Sequence, residues 1–123
     1  MHILLLDNEE IMHTTLEFKL QKAGMQPVYI NTTDELKTAL EDHSIAVAIL
    51  DLDIDTKDIS YVLEMCKFYK GQHIPVLGIT TLSDEETILD WLHQGIHDFI
   101  AKPYKTSEII IRIKKAITPM EVK

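Results

Sequence analysis

Four residues with chemically active side chains each stand at the end of a short strand-like run. They are Asp7, Asp51, Thr80 and Lys102. The runs that precede them cover residues 3–6, 46–50, 76–79 and 98–101. If these runs are neighbouring parallel strands, the four side chains meet at one edge of one sheet. Open α/β sheets place their ligand sites at that edge.

The types of these four side chains indicate phosphoryl chemistry. Crowded carboxylates repel each other and raise each other's pKa, and a hard cation such as Mg²⁺ relieves this repulsion. Asp51 can act as a nucleophile, as aspartates do in ATPases that form an aspartyl phosphate. Lys102 offers a positive charge and Thr80 a hydroxyl donor. Metal, lysine and hydroxyl together suit transfer of a phosphoryl group, in which positioning and charge stabilisation carry most of the catalysis.

The elements that must position these residues alternate five times along the chain. Hydrophobic patterning predicts strands over 2–6, 26–30, 45–50, 75–79 and 97–101, and helices over 9–23, 33–42, 58–69, 84–94 and 107–117. Strands separated by whole helices pair in parallel through right-handed crossovers. We therefore predict one doubly wound α/β domain over residues 1–123, a three-layer sandwich with strand order 2-1-3-4-5. Its switch point lies between the strands that end in Asp7 and Asp51.

Composition narrows the functional class. The chain has 123 residues, 46% of them hydrophobic, and a net charge of −8, which argues against direct nucleic-acid binding. No apolar run approaches the ~18–20 residues of a membrane helix. A single cysteine, Cys66, excludes an internal disulfide and is predicted to be a core thiol. We expect a soluble cytoplasmic domain that contacts no membrane.

The chain resembles the receiver domain of two-component response regulators. The resemblance spans essentially all residues, and it is carried by the segments 4–9, 49–52, 79–81 and 95–104 in matching order and spacing. It implies a flavodoxin-like receiver fold. It also implies a signalling domain rather than an enzyme, although such a domain can catalyse its own phosphotransfer and dephosphorylation.

The resemblance also implies roles for individual residues. Asp51 would accept a phosphoryl group from a partner histidine kinase or phosphotransfer protein, and Lys102 would contact that group. Thr80 and Phe99 would form the switch pair that moves on phosphorylation. The ligands of Mg²⁺ would be Asp7, Asn8, Asp51 and the backbone carbonyl of Asp53.

The sequence departs from the family pattern at three positions. Asn8 stands where the family usually has a second acid, and because an amide oxygen adds no charge, we expect weaker Mg²⁺ affinity. Glu9 and Asp53 are candidates to compensate. Asp55 and Ile59 stand where the family often has proline and glycine, so the loop after the third strand is expected to be atypical.

A protein-contact surface is predicted on the last two helices. Apolar residues cover a wider arc of the fourth helix than one buried stripe needs, and excess apolar surface usually marks an interface. By the resemblance, three charged residues match pairing positions in receivers of winged-helix transcription regulators. The predicted interface residues of a homodimer are Ile88, Trp91, Leu92, Asp98, Glu108 and Arg112. The alternative is that Trp91 folds back onto the core.

Two other functions compete with the phosphoacceptor hypothesis. Asn8 and the loop at 55–59 would suit a pseudo-receiver that acts by protein contact without phosphorylation. The pair Asp51 and Asp53 resembles the aspartates of haloacid-dehalogenase-type phosphatases. In that family, however, the pair follows the first strand of a larger chain, and here it follows the third predicted strand.

Overall fold

Strands and helices alternate along the chain as the hydrophobic pattern predicts. The computed structural model describes residues 1–6, 10–53, 56–81 and 84–118, with only the backbone described for 10–13 and 56–57. The strands are β1 (His2–Leu6), β2 (Gln26–Ile30), β3 (Ile45–Asp51), β4 (Val76–Thr80) and β5 (Asp98–Ala101). The helices are α1 (Glu10–Lys22), α2 (Leu36–Asp42, preceded by a 3₁₀ turn at Thr33–Glu35), α3 (Thr56–Lys67), α4 (Glu85–Gln94) and α5 (Thr106–Ile117).

The five strands form one parallel sheet in the order β2-β1-β3-β4-β5, which confirms the predicted topology. Register brings the carboxyl ends of the central strands together. Asp51, the last residue of β3, pairs with Ile79 in β4, and Thr80 pairs with Ala101 in β5. Lys102 follows directly, so residues far apart in sequence reach one edge of the sheet.

Both faces of the sheet are covered by helices. One core cluster joins Leu4 and Leu6 of β1 to residues of α2 and α3, and the other joins Ile3 and Leu5 to residues of α1 and α5. Neighbouring residues of β1 thus face opposite layers, as the pleat of a strand requires. Burying each large aliphatic side chain contributes about 1.5–3 kcal/mol, so these two layers hold the sheet edge in place.

The fourth helix is packed differently from the others. None of the residues of α4 is buried, and the helix ends at Gly95, which has a φ of 119°. The Gly95 N–H donates to the carbonyl oxygens of Trp91 and Leu92. Glycine adopts positive φ without a steric penalty, so it is suited to end a helix here. Because none of its residues is buried, α4 leaves apolar side chains at the surface.

The Cys66 thiol lies in the core, as the sequence predicts. Its side chain is buried in α3, and desolvation raises its pKa to about 12. The thiolate is the reactive form of cysteine, so the folded chain keeps Cys66 in its unreactive form at neutral pH. No helix within the described residues is long and apolar enough to span a bilayer.

Gly78 in β4 leaves room for the segment that carries the candidate site. A Cβ atom at this position would lie 2.5 Å from Leu52 Cδ1 and 3.4 Å from Ile96 Cγ2. Leu52 is buried and stands between Asp51 and Asp53. A side chain at residue 78 would therefore push on the segment that orients the two carboxylates.

We expect Gly78→Ala to lower the free energy of unfolding by about 1–3 kcal/mol, since overpacking a filled core forces side chains off their rotamers. Urea denaturation measures this change. The double variant with Leu52→Ala is the control, because the shorter side chain removes the clash. Strictly additive losses in the double variant would contradict the clash as the cause.

Candidate functional site

The Asp51 carboxylate lies at the carboxyl end of β3 and is almost fully buried. Its Oδ2 is 3.0 Å from Lys102 Nζ, and its Oδ1 accepts the backbone N–H of Asp53 at 2.9 Å. The side chain is 5% exposed. A buried carboxylate needs such a partner because an isolated charge is expensive to desolvate. The arrangement leaves a negatively charged oxygen nucleophile beside a fixed cation.

Lys102 joins the ends of three strands. Its backbone N–H donates to the carbonyl oxygen of Thr80 at 2.9 Å, and its Nζ lies 3.0 Å from Asp51 Oδ2 and 3.1 Å from Asp53 Oδ2. Burial alone would lower the pKa of Lys102, but hydrogen bonds and attraction from the two aspartates outweigh it and raise the pKa. The ammonium therefore stays charged. The peptide bond between Lys102 and Pro103 is cis.

The Asp53 side chain, a candidate to compensate for Asn8, has hydrogen-bond partners that the sequence did not predict. Its Oδ1 accepts the Thr80 hydroxyl at 3.1 Å. Its Oδ2 accepts the Thr81 backbone N–H at 3.4 Å and the Thr81 hydroxyl at 3.3 Å. Partial burial would raise the pKa of Asp53, but bonds from Lys102 and Thr80 lower it. The carboxylate is thus ionised and held among donors.

Thr81 is a further site residue without a sequence-based prediction. It follows Thr80 directly at the end of β4, and both its N–H and its hydroxyl face Asp53. The only available signal was a second hydroxyl residue after the strand. That signal is weak, because threonine is common at strand ends.

The other predicted metal ligands fall outside the described residues. Asp7 and Asn8 belong to the segment 7–9, as does Glu9, the candidate to compensate for Asn8, and the atypical loop residue Asp55 belongs to the segment 54–55. Within the described part of the chain, no group of three His, Cys, Asp or Glu side chains is arranged to hold a metal ion. Asp51 and Asp53 do offer the hard oxygen donors that Mg²⁺ prefers.

The predicted switch aromatic, Phe99, lies in β5, the strand that pairs with β4. Phe99 is half-buried in β5 and packs against the core cluster that contains α2 and α3. Phe99 stands three residues before Lys102. Its predicted switch partner, Thr80, is 4% exposed at the end of the neighbouring strand β4.

Ile59 stands where the family often has glycine after the phosphoacceptor. Its side chain is fully buried in α3.

The predicted interface residues divide into an apolar and a charged group. Leu89 and Leu92 are 46% and 41% exposed, while Ile88 and Trp91 are half-buried. Trp91 packs against the same core cluster as Phe99, which supports the alternative that it folds back onto the core. Leu89, which is not among the predicted interface residues, is more exposed than any of the predicted apolar ones in α4.

The charged group is connected within the chain. Arg112 Nη1 donates to Asp98 Oδ2 at 2.8 Å, and Arg112 Nη2 lies 3.9 Å from Glu108 Oε1. All three side chains are at least a quarter exposed. Exposed ion pairs contribute about 0–1 kcal/mol, so this network can rearrange at little cost.

Curated relatives of the chain are transcriptional and response regulators. It is 28% identical to the transcriptional regulatory protein GltR of Pseudomonas aeruginosa over 116 residues, covering 91% of this chain and 47% of GltR. It is 27% identical to the phosphate regulon transcriptional regulatory protein PhoB of Escherichia coli over 124 residues, covering 98% of this chain and 54% of PhoB. The chain thus spans about half the length of these relatives.

Solved structures share the fold. A response regulator from Thermotoga maritima superposes with a TM-score of 0.82 at 19% identity, covering 94% of this chain and 96% of that one. The BeF3-activated N-terminal receiver domain of Klebsiella pneumoniae RstA gives a TM-score of 0.80 at 18% identity, covering 97% of this chain and all of that one.

The family profile described as "Response regulator receiver domain" matches residues 3–114. That range covers the sheet except for the first residue of β1, and it includes the strand ends that carry Asp51, Thr80 and Lys102. The match agrees with the strand order and with the family suggested by the sequence motifs. This chain belongs to the response regulator receiver domain family.

Proposed function

We propose that Asp51 accepts a phosphoryl group from a phosphohistidine of a histidine kinase or phosphotransfer protein. The observation that carries this proposal is the buried Asp51 carboxylate, 3.0 Å from Lys102 Nζ at the end of β3. Receiver domains of this family are generally signalling domains that interact with histidine kinases. The haloacid-dehalogenase-type hypothesis has no comparable support, because the aspartate pair follows β3 rather than a first strand.

The transfer needs a nucleophile and neutralising charge. One Asp51 oxygen forms a bond to phosphorus while the bond between phosphorus and the histidine nitrogen breaks, and the electron pair of that bond stays on the imidazole. Lys102 offsets the negative charge on the transferring oxygens, and the Thr80 hydroxyl offers a hydrogen bond to the product. Positioning and charge stabilisation of this kind account for most phosphoryl-transfer catalysis.

Receiver domains typically bind Mg²⁺ at an acidic pocket. In this chain, Asp51, the carbonyl oxygen of Asp53, Asp7 and Asn8 would hold the ion. When bound, Mg²⁺ would neutralise charge on the phosphoryl oxygens. The oxygen donors of Asp51 and Asp53 suit this cation. Thr80 and Phe99 would then transmit the change toward α4.

We expect Mg²⁺ affinity to be weak and to rise on Asn8→Asp by about tenfold, since a charged oxygen ligand replaces a neutral amide. Titration of Mg²⁺ against Trp91 fluorescence measures the affinity, and Asn31→Asp at an exposed position after β2 is the matched control. Equal or weaker affinity of Asn8→Asp would contradict a metal role for residue 8.

Incubation with Mg²⁺ and acetyl phosphate, followed by intact-mass measurement, tests the proposed function. A stable or slowly decaying phosphoryl adduct supports the phosphoacceptor role. Rapid hydrolysis of the phosphodonor with no accumulating adduct would instead favour a phosphatase. If no adduct forms under any condition, a pseudo-receiver that acts through protein contacts becomes the better hypothesis.

We also propose that the exposed surface of α4, β5 and α5 pairs with a second copy of the chain. The support is the exposure of Leu89 and Leu92 beside the surface ion pairs of Arg112. Apolar anchors surrounded by charged groups are typical of protein interfaces. In a dimer, Asp98 and Glu108 can pair with Arg112 of the second copy.

We expect Leu92→Asp to weaken self-association by about tenfold or more, because a charge would be buried at the centre of the contact. Leu92 is a cleaner probe than Trp91, which packs against the core. Phe18→Asp, at a site on α1 that is 57% exposed against 41% for Leu92, is the control. Sedimentation equilibrium measures association, and a monomer at every concentration, with or without beryllofluoride, would contradict the homodimer.

A further inference from the structure

The Asp53 carboxylate is bound by donors from two neighbouring strand ends. The Thr80 hydroxyl, the Thr81 N–H and the Thr81 hydroxyl come from the end of β4, and the Lys102 ammonium follows β5. The four donor–acceptor distances lie between 3.1 and 3.4 Å. Anionic acceptors strengthen such bonds. The negatively charged side chain of Asp53 therefore occupies all four of these donors.

The same donors adjoin the candidate phosphoacceptor. Lys102 Nζ lies 3.0 Å from Asp51 Oδ2 and 3.1 Å from Asp53 Oδ2, so one cation contacts both carboxylates. A phosphoryl group on Asp51 would carry a charge of about −1.5 to −2 and three acceptor oxygens. The cation beside Asp51 is thus already engaged by Asp53, whose carboxylate also holds the Thr80 hydroxyl.

We propose that Asp53 is an internal competitor of the phosphoryl group, so that its carboxylate must leave Thr80, Thr81 and Lys102 before a phosphoryl group on Asp51 can bind them. This inference rests on the proposed phosphoacceptor function of Asp51. It adds a regulatory role for a residue whose expected contribution was a backbone carbonyl.

Competition follows from charge and from geometry. A phosphoryl group would replace the single charge on Asp51 by about −1.5 to −2 beside the same ammonium, and crowding this group against the Asp53 carboxylate raises the free energy of the phosphorylated chain. Asp53 can leave because its side chain is 28% exposed, whereas that of Asp51 is only 5% exposed. The unphosphorylated chain already holds Thr80 by a hydrogen bond, so phosphorylation exchanges one anionic partner of Thr80 for another.

Beryllofluoride binding tests the competition without a covalent step. We would compare the unmodified chain with Asp53→Asn, Asp53→Ala and the control Asp42→Asn. Asp42 is an exposed acid at the end of α2, before β3, and so lies at the opposite edge of the sheet. Each titration is made at a Mg²⁺ concentration that saturates that variant, because loss of the Asp53 charge also affects the metal.

We expect Asp53→Asn and Asp53→Ala to bind beryllofluoride about tenfold more tightly than the unmodified chain, with Asp42→Asn unchanged. Beryllofluoride binding that is detectable for Asp53→Asn and Asp53→Ala but not for the unmodified chain would also support the proposal. Equal or weaker binding by both variants, with clear binding by the unmodified chain, would overturn the competition and leave the phosphoacceptor function standing. No binding by any protein would overturn both.

A second measurement reports on where the Asp53 carboxylate lies rather than on the affinity for beryllofluoride. The amide resonance of Thr81 is expected to shift in Asp53→Asn and Asp53→Ala without ligand, because the carboxylate acceptor of its N–H is lost, and to stay in place in Asp42→Asn. A resonance unchanged in the Asp53 variants would overturn the proposal. The readout distinguishes loss of this contact from a general loss of stability, which circular dichroism monitors.

Discussion

Asp51→Ala is expected to abolish the phosphoryl adduct that acetyl phosphate forms on this chain in the presence of Mg²⁺. The reaction needs an oxygen nucleophile next to Lys102, and alanine removes it. In the transfer, acetate leaves as the bond between phosphorus and its oxygen breaks and a bond to Asp51 forms. Intact mass after a fixed incubation measures the adduct, and the loss should be complete.

The fold should survive Asp51→Ala because Lys102 keeps Asp53 as a partner at 3.1 Å. Asp42→Asn again supplies the matched control, since it removes one negative charge from an exposed position away from the site. An adduct that persists in Asp51→Ala, or that peptide mapping assigns to Asp53, would contradict Asp51 as the phosphoacceptor.

Lys102→Ala is expected to lower the free energy of unfolding by about 3 kcal/mol, because it leaves the nearly buried carboxylate of Asp51 without its cation. The Asp53 carboxylate would lose the same cation, and repulsion between the two acids would no longer be offset. Urea denaturation at neutral pH measures the loss.

Added Mg²⁺ should return part of the stability to Lys102→Ala, since a ligand that binds only the folded state stabilises it by mass action. Lys37→Ala on the exposed face of α2 is the control, and we expect it to change stability by less than about 0.5 kcal/mol. A comparably small loss in Lys102→Ala would mean that the two aspartates do not depend on the lysine.

The sequence alone determined the sheet and three members of the site. Alternating strand and helix patterns predicted a parallel sheet, because helices between strands permit only crossover connections. The order 2-1-3-4-5 then followed from the doubly wound fold class that five such units suit. Parallel pairing then places all carboxyl ends at one edge, so Asp51, Thr80 and Lys102 could be predicted to meet there. For each of these residues a local pattern was enough, since a residue at the carboxyl end of any strand in a parallel sheet lies at the same edge of that sheet.

The surface formed by α4, β5 and α5 was only partly predictable. Helical spacing indicated an apolar arc wider than one buried stripe, but it could not tell which residue turns inward. The structure has Trp91 packed against the core and Leu92 left exposed. Which of two neighbouring apolar side chains is buried depends on the shape of the layer beneath the helix, and periodicity carries no information about that shape.

The role of the Asp53 side chain was decided by tertiary structure. The family resemblance implied a backbone ligand at Asp53, while its carboxylate bonds to Thr80 and Thr81, 27 and 28 residues further along the chain. Whether a strand-end acid faces solvent or its neighbours depends on register between β3 and β4 and on the donors available there. Only the folded chain brings the threonines and Lys102 within hydrogen-bonding distance, where a desolvated cation and converging donors make the inward position of the carboxylate favourable.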